Sequence, residues 1–162
     1  MTELDKTQLL AVLREQLVTE LARSKARALD AAEGATHEEN RAEGDKDMRS
    51  TEASYVARGH AERTHQLEQA LLKLGAMELR NFSAGMAIAS SALLELEHRA
   101  RRLHYFLVPA AGGERLQFQG LEVQTITPTS PLGAALIGIS EGDEAEVASP
   151  QGVRSYEVVR VR

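Results

Sequence analysis

Acidic side chains are concentrated near the middle of the chain, in the stretch HEENRAEGDKD at 37–47. The acids of this stretch are Glu38, Glu39, Glu43, Asp45 and Asp47, with Arg41 and Lys46 interspersed among them. Carboxylate oxygens are the hard ligands that Mg²⁺ takes in proteins, so one hypothesis is a metal-binding role. The alternative is a solvated acidic surface, because charged residues are mostly exposed.

A second alternative concerns local structure. The sequence THEE at 36–39 matches a capping box, in which a threonine and a glutamate three residues later satisfy the free backbone groups at the start of a helix. In that interpretation Glu39 caps a short helical turn and has no other role.

The acids lie between two stretches with helical periodicity. In the first stretch, apolar residues recur every three or four positions, at Leu10, Leu13, Leu17, Leu21 and Ala28. This spacing forms one apolar stripe and predicts a helix over about residues 3–33. The second stretch follows a heptad pattern, with seam positions Ala53, Ala57, His60, Thr64, Leu67, Leu71 and Leu74.

Two narrow apolar stripes can bury each other as an antiparallel pair of helices. We therefore predict a coiled-coil hairpin over residues 1–77, with its tip near 35–50 and the acids at that tip. A helix of about 30 residues is roughly 45 Å long, so the tip is expected to be remote from the base.

The second half of the chain has a different period. Short apolar or alternating runs bounded by Gly, Pro or polar turns predict strands at 89–97, 102–108, 121–127, 144–149 and 153–161. The segment SPLGAALIG at 130–138 predicts one short helix, with Ser130 as N-cap, Pro131 at its first position and Gly138 just past its end. Residues 78–162 are thus predicted to form a small, mostly antiparallel sheet with one helix, which makes the protein α+β.

Bulk composition narrows the classes of function. The chain has 162 residues, no cysteine and a net charge of −5. The absence of cysteine fits a reducing cytoplasm, and the negative charge argues against broad contact with nucleic-acid backbones. No apolar run is long enough for a membrane span. We expect a cytoplasmic protein with protein partners, no membrane association and no direct sequence-specific DNA binding.

The C-terminal part resembles that of the bacterial Gre transcript-cleavage factors, the GreA/GreB type of transcription elongation factor. The family's Ser-Pro, Ala-Leu-x-Gly, Gly-Asp, Pro-x-Gly and Tyr-x-Val recur here in the same order. The matching residues are Ser130, Pro131, Ala135, Leu136, Gly138, Gly142, Asp143, Pro150, Gly152, Tyr156 and Val158. The resemblance extends to the layout, because Gre factors have an N-terminal coiled-coil hairpin followed by an FKBP-like domain.

The resemblance implies a function. The globular domain of a Gre factor docks on bacterial RNA polymerase, and the coiled coil enters the secondary channel. Acids at the tip help to hold a second Mg²⁺ at the polymerase active site, where the backtracked RNA is hydrolysed. By this resemblance Asp45 is the first of the working acids, and Asp47, Glu43 or Glu52 would have to substitute for the second. We therefore expect Asp45 and Asp47 as the catalytic acids, and Asp45, Asp47 and Glu43 as the Mg²⁺ ligands. The protein is then an accessory factor that is not an enzyme, has no cofactor of its own and meets the nascent RNA 3′ end only indirectly.

The tip departs from the family motif, which is Gly-Asp-Leu-Ser-Glu-Asn-Ala-Glu-Tyr with working acids three residues apart. Aligned on Gly44-Asp45, the second acidic position is Met48. Aligned on Tyr55, the two positions are Met48 and Thr51. The sequence therefore leaves two outcomes open, which are stimulation of cleavage and occupation of the channel without cleavage.

The alternatives to a polymerase-binding factor are an enzyme and an adaptor protein. An FKBP-like domain could be a peptidyl-prolyl isomerase, but such pockets are lined by aromatic residues and this chain has no Trp, three Phe and three Tyr. A coiled-coil adaptor without polymerase contact is the remaining class, and failure to co-purify with core RNA polymerase would distinguish it.

Overall fold

A computed structural model describes residues 5–40 and 47–162, with side chains described for 5–34, 51–52 and 54–162. Two long helices, α1 (Lys6–Asn40) and α2 (Asp47–Ala76), form a helical hairpin, and six strands and one short helix follow. The chain divides into two compact units. One is Glu15–Leu71, and the other combines the residues up to Arg14 with Leu72–Arg162.

Helix α1 differs at both ends from the predicted span of 3–33. It begins at Lys6 because the carboxylate of Asp5 accepts from the backbone N–H of Thr7 at 2.8 Å, which is N-cap geometry. It continues to Asn40 because Gly34 does not take the left-handed conformation that ends a helix. The capping-box interpretation of 36–39 is therefore wrong, since these residues lie inside α1 and no helix starts there.

The hairpin seam is confirmed in its apolar parts. Leu13 and Leu17 of α1 and Leu67 and Leu74 of α2 are buried, as the two stripes predicted. The thin part of the seam, at Ala57 and His60, is only half-buried. Small or polar side chains bury less apolar area, so this part of the seam contributes less to stability.

One sheet contains all six strands. They are β1 (Leu93–His98), β2 (Arg101–Leu107), β3 (Arg115–Phe118), β4 (Leu121–Ile126), β5 (Glu144–Ser149) and β6 (Gly152–Val161). The order across the sheet is β3-β4-β2-β1-β6-β5. Only the β2–β4 pair is parallel, with His104 opposite Val123 and Leu107 opposite Ile126. The mostly antiparallel sheet is as predicted.

Two strand assignments from sequence need correction. The strand predicted from residue 89 begins at Leu93, because Ser91 has a positive φ of 73° and Ala92 N–H donates to the carbonyl of Ala89 in a turn. Strand β3 was not predicted. It pairs with β4 through a tight turn in which Gln119 and Gly120 both have positive φ, the geometry that closes a two-residue hairpin.

The short helix α3 (Pro131–Leu136) is confirmed with its predicted ends. The hydroxyl of Ser130 accepts from the N–H of Gly133 at 3.1 Å, and Pro131 occupies the first turn. Gly138, just past the helix, has a φ of 87°. A Cβ at Gly133 would lie 1.9 Å from the carbonyl oxygen of Thr127, so only glycine fits where α3 meets the preceding loop.

Helix α3 covers part of one face of the sheet. The buried cluster there consists of Ile88, Ala92, Leu94, Leu96, Leu107, Ile126, Leu136, Ala145, Tyr156, Val158 and Val161. The fold class is therefore as predicted, with a helical hairpin followed by a sheet domain with one short helix.

Lys6 ties together three segments of its unit. Its ammonium group donates to the carbonyls of Arg80, of Ser91 at 2.9 Å and of Arg162 at 3.1 Å, and lies 5.0 Å from the ring centre of Phe82. The carbonyl groups favour the charged amine, whereas burial disfavours it. Burial has the larger effect and lowers the pKa of Lys6 to about 8.

Candidate functional site at the hairpin bend

Of the predicted site residues, Glu43 and Asp45 lie between the two helices in the sequence. Glu43 and Asp45 fall outside the described residues, and Asp47 is the first residue of α2, with its side chain outside the description. Their metal-binding and catalytic roles stay predictions. Within residues 5–40 and 47–162, no group of three or more His, Asp or Glu side chains is placed to hold a metal ion.

The two departures from the family motif fall in the first turns of α2. Met48 belongs to that helix, although its side chain is not described. Thr51 and Glu52 are exposed. A carboxylate at Glu52 is thus free to reach solvent near the bend, whereas the position of Thr51 offers a hydroxyl instead of an acid.

An exposed apolar patch follows on α2. Tyr55 is 65% exposed, Val56 is also exposed, and the guanidinium of Arg58 lies 5.9 Å from the centre of the Tyr55 ring. Scattered apolar surface residues are normal, but an aromatic ring paired with a cation can contact both apolar and anionic groups. Sequence reasoning used Tyr55 only to align the motif and missed this exposure.

A buried polar layer lies further down the hairpin. Ser24 is only 5% exposed, and its hydroxyl is 2.9 Å from that of Thr64. The carbonyl of His60 accepts from the Thr64 hydroxyl at 2.9 Å. A polar layer in an apolar seam favours one alignment of two helices, because a shift would take the buried hydroxyl of Ser24 away from its partners on α2.

Ser24 was missed from sequence, although a signal existed. It follows Leu17 by seven residues, as Leu17 follows Leu10, so a strict heptad through α1 includes it. Thr64 was on the predicted seam. The layer shows that the two series meet at these two positions.

Ion pairs connect the helices on either side of this layer. Arg63 pairs with Glu20 at 2.5 Å, and Lys25 pairs with Glu68 at 3.4 Å. All four side chains are substantially exposed, so each pair contributes little to stability. Their positions nonetheless agree with the alignment set by Ser24 and Thr64.

The basic run HRARRLH at 98–104 covers the end of β1, the two-residue turn after it and the start of β2. Arg99 and Ala100 have positive φ values of 50° and 60°, which closes a tight hairpin. Arg102 pairs with Glu95 at 3.3 Å and with Glu97 at 3.0 Å, so its charge is neutralised locally. The other cations of the run lie at the end of the sheet.

The architecture defines a class of protein, in which a two-helix hairpin is followed by a small sheet domain. A family model described as "Transcription elongation factor, GreA/GreB, C-term" matches residues 94–162. The transcription elongation factor GreA of Methylococcus capsulatus is 31% identical over 133 residues, covering 76% of this chain and 77% of that protein. The chain therefore belongs to the GreA/GreB family of transcription elongation factors.

Other relatives match over shorter spans. GreA of Hyphomonas neptunium is 64% identical over 36 residues, and GreA of Syntrophobacter fumaroxidans is 55% identical over 38 residues. These alignments cover 23% and 24% of the two relatives. All three relatives, whether matched over a short or a long span, are GreA transcription elongation factors.

Solved structures give weaker likenesses. The crystal structure of Thermus aquaticus Gfh1 aligns with 91% of this chain and 92% of that chain, at 22% identity and a TM-score of 0.38. GreA/GreB from Nitrosomonas europaea aligns with 59% of this chain and 78% of that chain, at 21% identity and a TM-score of 0.36. The family assignment rests on the sequence relatives. In the described part of the chain, neither long helix has the length and apolar content needed to cross a membrane.

Proposed function

We propose that this protein binds bacterial RNA polymerase in the cytoplasm and acts on elongation from the secondary channel. Residues 78–162 serve as the docking domain, and the hairpin of residues 1–77 enters the channel. One observation carries the proposal: α1 extends to Asn40 and α2 begins at Asp47, so only six residues separate two long helices. Acids are concentrated in and beside this segment, at Glu38, Glu39, Glu43, Asp45 and Asp47. An α1 of 35 residues is about 50 Å long, which suits a probe for a deep channel.

In this proposal the acids of the bend act on the polymerase active site. Glu43, Asp45 and Asp47 would hold a Mg²⁺ ion that is shared with the polymerase. Carboxylates suit that ion, which often takes only one or two of them and completes its shell with water and phosphate. A second metal ion at such a site stabilises the attacking and leaving oxygens of phosphodiester hydrolysis. The chain itself supplies ligands and position, and the polymerase carries out the chemistry on its backtracked RNA.

The buried layer of Ser24 and Thr64 supports the positional part of the proposal. A tip that delivers carboxylates must not slide along the seam, because a step of one residue along α1 moves its end by about 1.5 Å. The hydroxyl pair opposes such sliding, since a shifted hairpin would take the buried Ser24 hydroxyl away from its partners on α2. Ser24 and Thr64 are thus positioning residues in this proposal.

A second candidate is occupation of the channel without cleavage. Met48 and Thr51 stand where the family motif has acids, which favours this candidate. A hairpin of the same length that lacks a complete acid pair would still fill the channel and would compete with cleavage-competent factors.

Backtracked elongation complexes with labelled RNA test the proposal. Wild-type protein is expected to shorten the RNA, and Asp45→Asn combined with Asp47→Asn is expected to abolish shortening while binding to polymerase persists. Asp30→Asn is the matched control, because Asp30 is an exposed acid of α1 away from the bend. It should leave shortening unchanged.

Three other results would change the conclusion. If the wild-type protein binds the complexes, leaves the RNA intact and blocks a competing cleavage factor, the non-cleaving candidate is correct. Equal losses in the Asp30 variant and the bend variant would mean that general charge, and not the bend acids, matters. Failure to co-purify with core RNA polymerase would contradict both candidates and favour an adaptor.

A further inference from the structure

A concave site lies at one end of the sheet, where the β1–β2 turn meets the β5–β6 turn. The cavity measures about 540 Å³, which is within the range of small-molecule pockets. Its polar lining consists of His98, Arg99, Arg101, Ser149, Gln151 and Arg154. All the lining residues belong to the described part of the chain, and none of them is acidic. We call it the arginine cavity.

Strand pairing brings these residues together from distant parts of the sequence. Arg101 lies directly opposite His98 in the β1–β2 pair. Arg154 lies two residues before Tyr156 on β6, and Tyr156 stacks on the His98 ring with the ring centres 4.7 Å apart. Alternate residues of a strand share a face, so Arg154 lies on the same face as Tyr156 and His98. The cations therefore converge on one side of the sheet.

The histidine of the cavity is held in one orientation. Nδ1 of His98 lies 2.8 Å from the carbonyl oxygen of Ser155. Because a carbonyl oxygen can only accept, Nδ1 carries the proton of this hydrogen bond. The stacking on the buried Tyr156 holds the ring from its face. A fixed side chain loses little conformational entropy when it binds a ligand.

The arginines of the cavity are not neutralised by acids. Arg102, the second residue of β2, pairs with both Glu95 and Glu97. By contrast, no ion pair within the described residues involves Arg99, Arg101 or Arg154. Arg154 donates to the side-chain oxygen of Gln151 at 3.3 Å, a neutral partner that orients the guanidinium without cancelling its charge.

Three guanidinium groups around one concavity repel each other, and an anion placed between them relieves the repulsion. Guanidinium forks match the oxygens of carboxylates and phosphates in a bidentate way. A single carboxylate offsets only one of the three charges. A phosphate or diphosphate group brings two or three negative charges in a compact shape, which fits both the charge and the concavity.

We propose that the arginine cavity binds a phosphate or diphosphate group of a small molecule, with Arg99, Arg101 and Arg154 as the charged donors. The site lies wholly within the sheet domain. It does not depend on the acids of the bend or on the proposed role in the secondary channel.

Titration of the full chain with inorganic pyrophosphate and with inorganic phosphate tests this, at fixed pH and ionic strength with chloride as the balancing anion. Backbone amide NMR shifts and calorimetry are the measurements. Saturable binding is expected, tighter for pyrophosphate, with shifts confined to 98–101 and 149–154. Replacing Arg101 or Arg154 by Gln should weaken binding by about tenfold each, since a charged hydrogen bond is lost.

Arg102→Gln is the matched control. It removes the same charge from the residue next to Arg101, but Arg102 is already paired with two glutamates and does not line the cavity. Binding should change by less than about twofold, in line with a screened surface charge. The amide spectrum of each variant, recorded without ligand, shows whether the fold is retained.

Several outcomes would overturn the proposal. Shifts that rise without saturation, or equal weakening in the Arg102→Gln and Arg101→Gln variants, would mean general charge screening and not a site. A glutamate-rich peptide that shifts the same amides while pyrophosphate has no effect would make this end of the sheet a docking surface for an acidic protein segment.

Discussion

The hairpin unit and the sheet unit are stabilised in different ways. Among the described side chains of Glu15–Leu71, four are buried, namely Leu17, Ser24, Leu67 and Ala70. In the sheet domain, one cluster alone contains eleven buried residues from strands, loops and α3. The hairpin unit therefore has a single narrow seam with a polar layer, whereas the sheet domain has a core closed on several sides.

The difference matters for where function can be placed. Each helix of the hairpin contacts its partner along one stripe, so the described residues off that stripe, such as Thr51 and Glu52, are exposed. We expect that acids near the bend can be replaced without loss of the sheet domain. In the arginine cavity, by contrast, strand pairing positions the backbones of Arg101 and Arg154, and this placement depends on the integrity of the sheet.

The largest difference is expected between two leucine substitutions. Leu96→Ala in the sheet cluster should lower the free energy of unfolding by about 4 kcal/mol, and Leu67→Ala in the seam by about 2 kcal/mol. The reason is that two helices can move together to fill a cavity, whereas a closed core cannot. Urea unfolding of each variant measures both values. An equal or larger loss for Leu67→Ala would contradict the comparison.

Gly133→Ala tests how tightly the sheet domain is packed around α3. The added methyl group would meet the backbone carbonyl of Thr127, so the loop or the helix must shift. We expect a loss of about 2–3 kcal/mol, measured by urea unfolding. Gly34→Ala in the hairpin is the control, because no atom lies within 4 Å of its added Cβ. That change should instead stabilise α1 by up to about 1 kcal/mol.

Removing the hydroxyls of the polar layer is expected to change the free energy of unfolding by less than the leucine and Gly133 substitutions do. A double-mutant cycle with Ser24→Ala and Thr64→Val should give a coupling energy of about 1 kcal/mol between the two hydroxyls. Thermal or urea unfolding of the four proteins supplies the values. Additive losses would show that the hydroxyls do not interact and would remove the argument that they set the alignment of the helices.

The smallest expected effect is the change in the free energy of unfolding with pH that is due to Lys6. Burial lowers the pKa of Lys6 from 10.5 to about 8, so the unfolded chain binds more protons than the folded chain between these values. The free energy of unfolding should therefore rise as pH rises through this window. Because Lys6 is about half exposed, the rise should stay below about 1 kcal/mol.

Urea unfolding at about pH 7.5 and about pH 9.5 measures this effect, with Lys6→Met as the variant that lacks it. Higher pH is avoided because burial, and secondarily Tyr156, raises the pKa of Tyr105. That shift acts in the opposite direction, since folding stability then falls as the unfolded tyrosine ionises. If the free energy of unfolding changes with pH by the same amount in the wild type and in Lys6→Met, Lys6 does not cause the change.

Several elements were predictable because their signals are local. Ser130, Pro131 and Gly138 mark both ends of α3, and each acts through its own backbone geometry. Strand β5 has its predicted bounds at 144–149 because alternation and flanking turns are properties of adjacent residues. The leucines of the seam follow a heptad that can be counted along the chain.

Other features were not predictable from local patterns. The apolar stripe predicted a helix that ends near residue 33, but α1 continues through Gly34 to Asn40. Strand β3 has only four residues, and its extended conformation depends on its pairing with β4. For the acids, the sequence located a cluster near the bend, of which Glu38 and Glu39 belong to α1 and Asp47 begins α2. The arrangement of their carboxylates stays a prediction.

The sequence by itself determined the class of the fold, the helical hairpin, the capped helix α3 and the family, because these depend on periodicity and on short motifs. Only the tertiary structure placed Ser24 against Thr64 and brought Arg154 beside His98 and Arg101. Those contacts join residues that are far apart along the chain. They arise from the alignment of helices and strands, which no single stretch of sequence encodes.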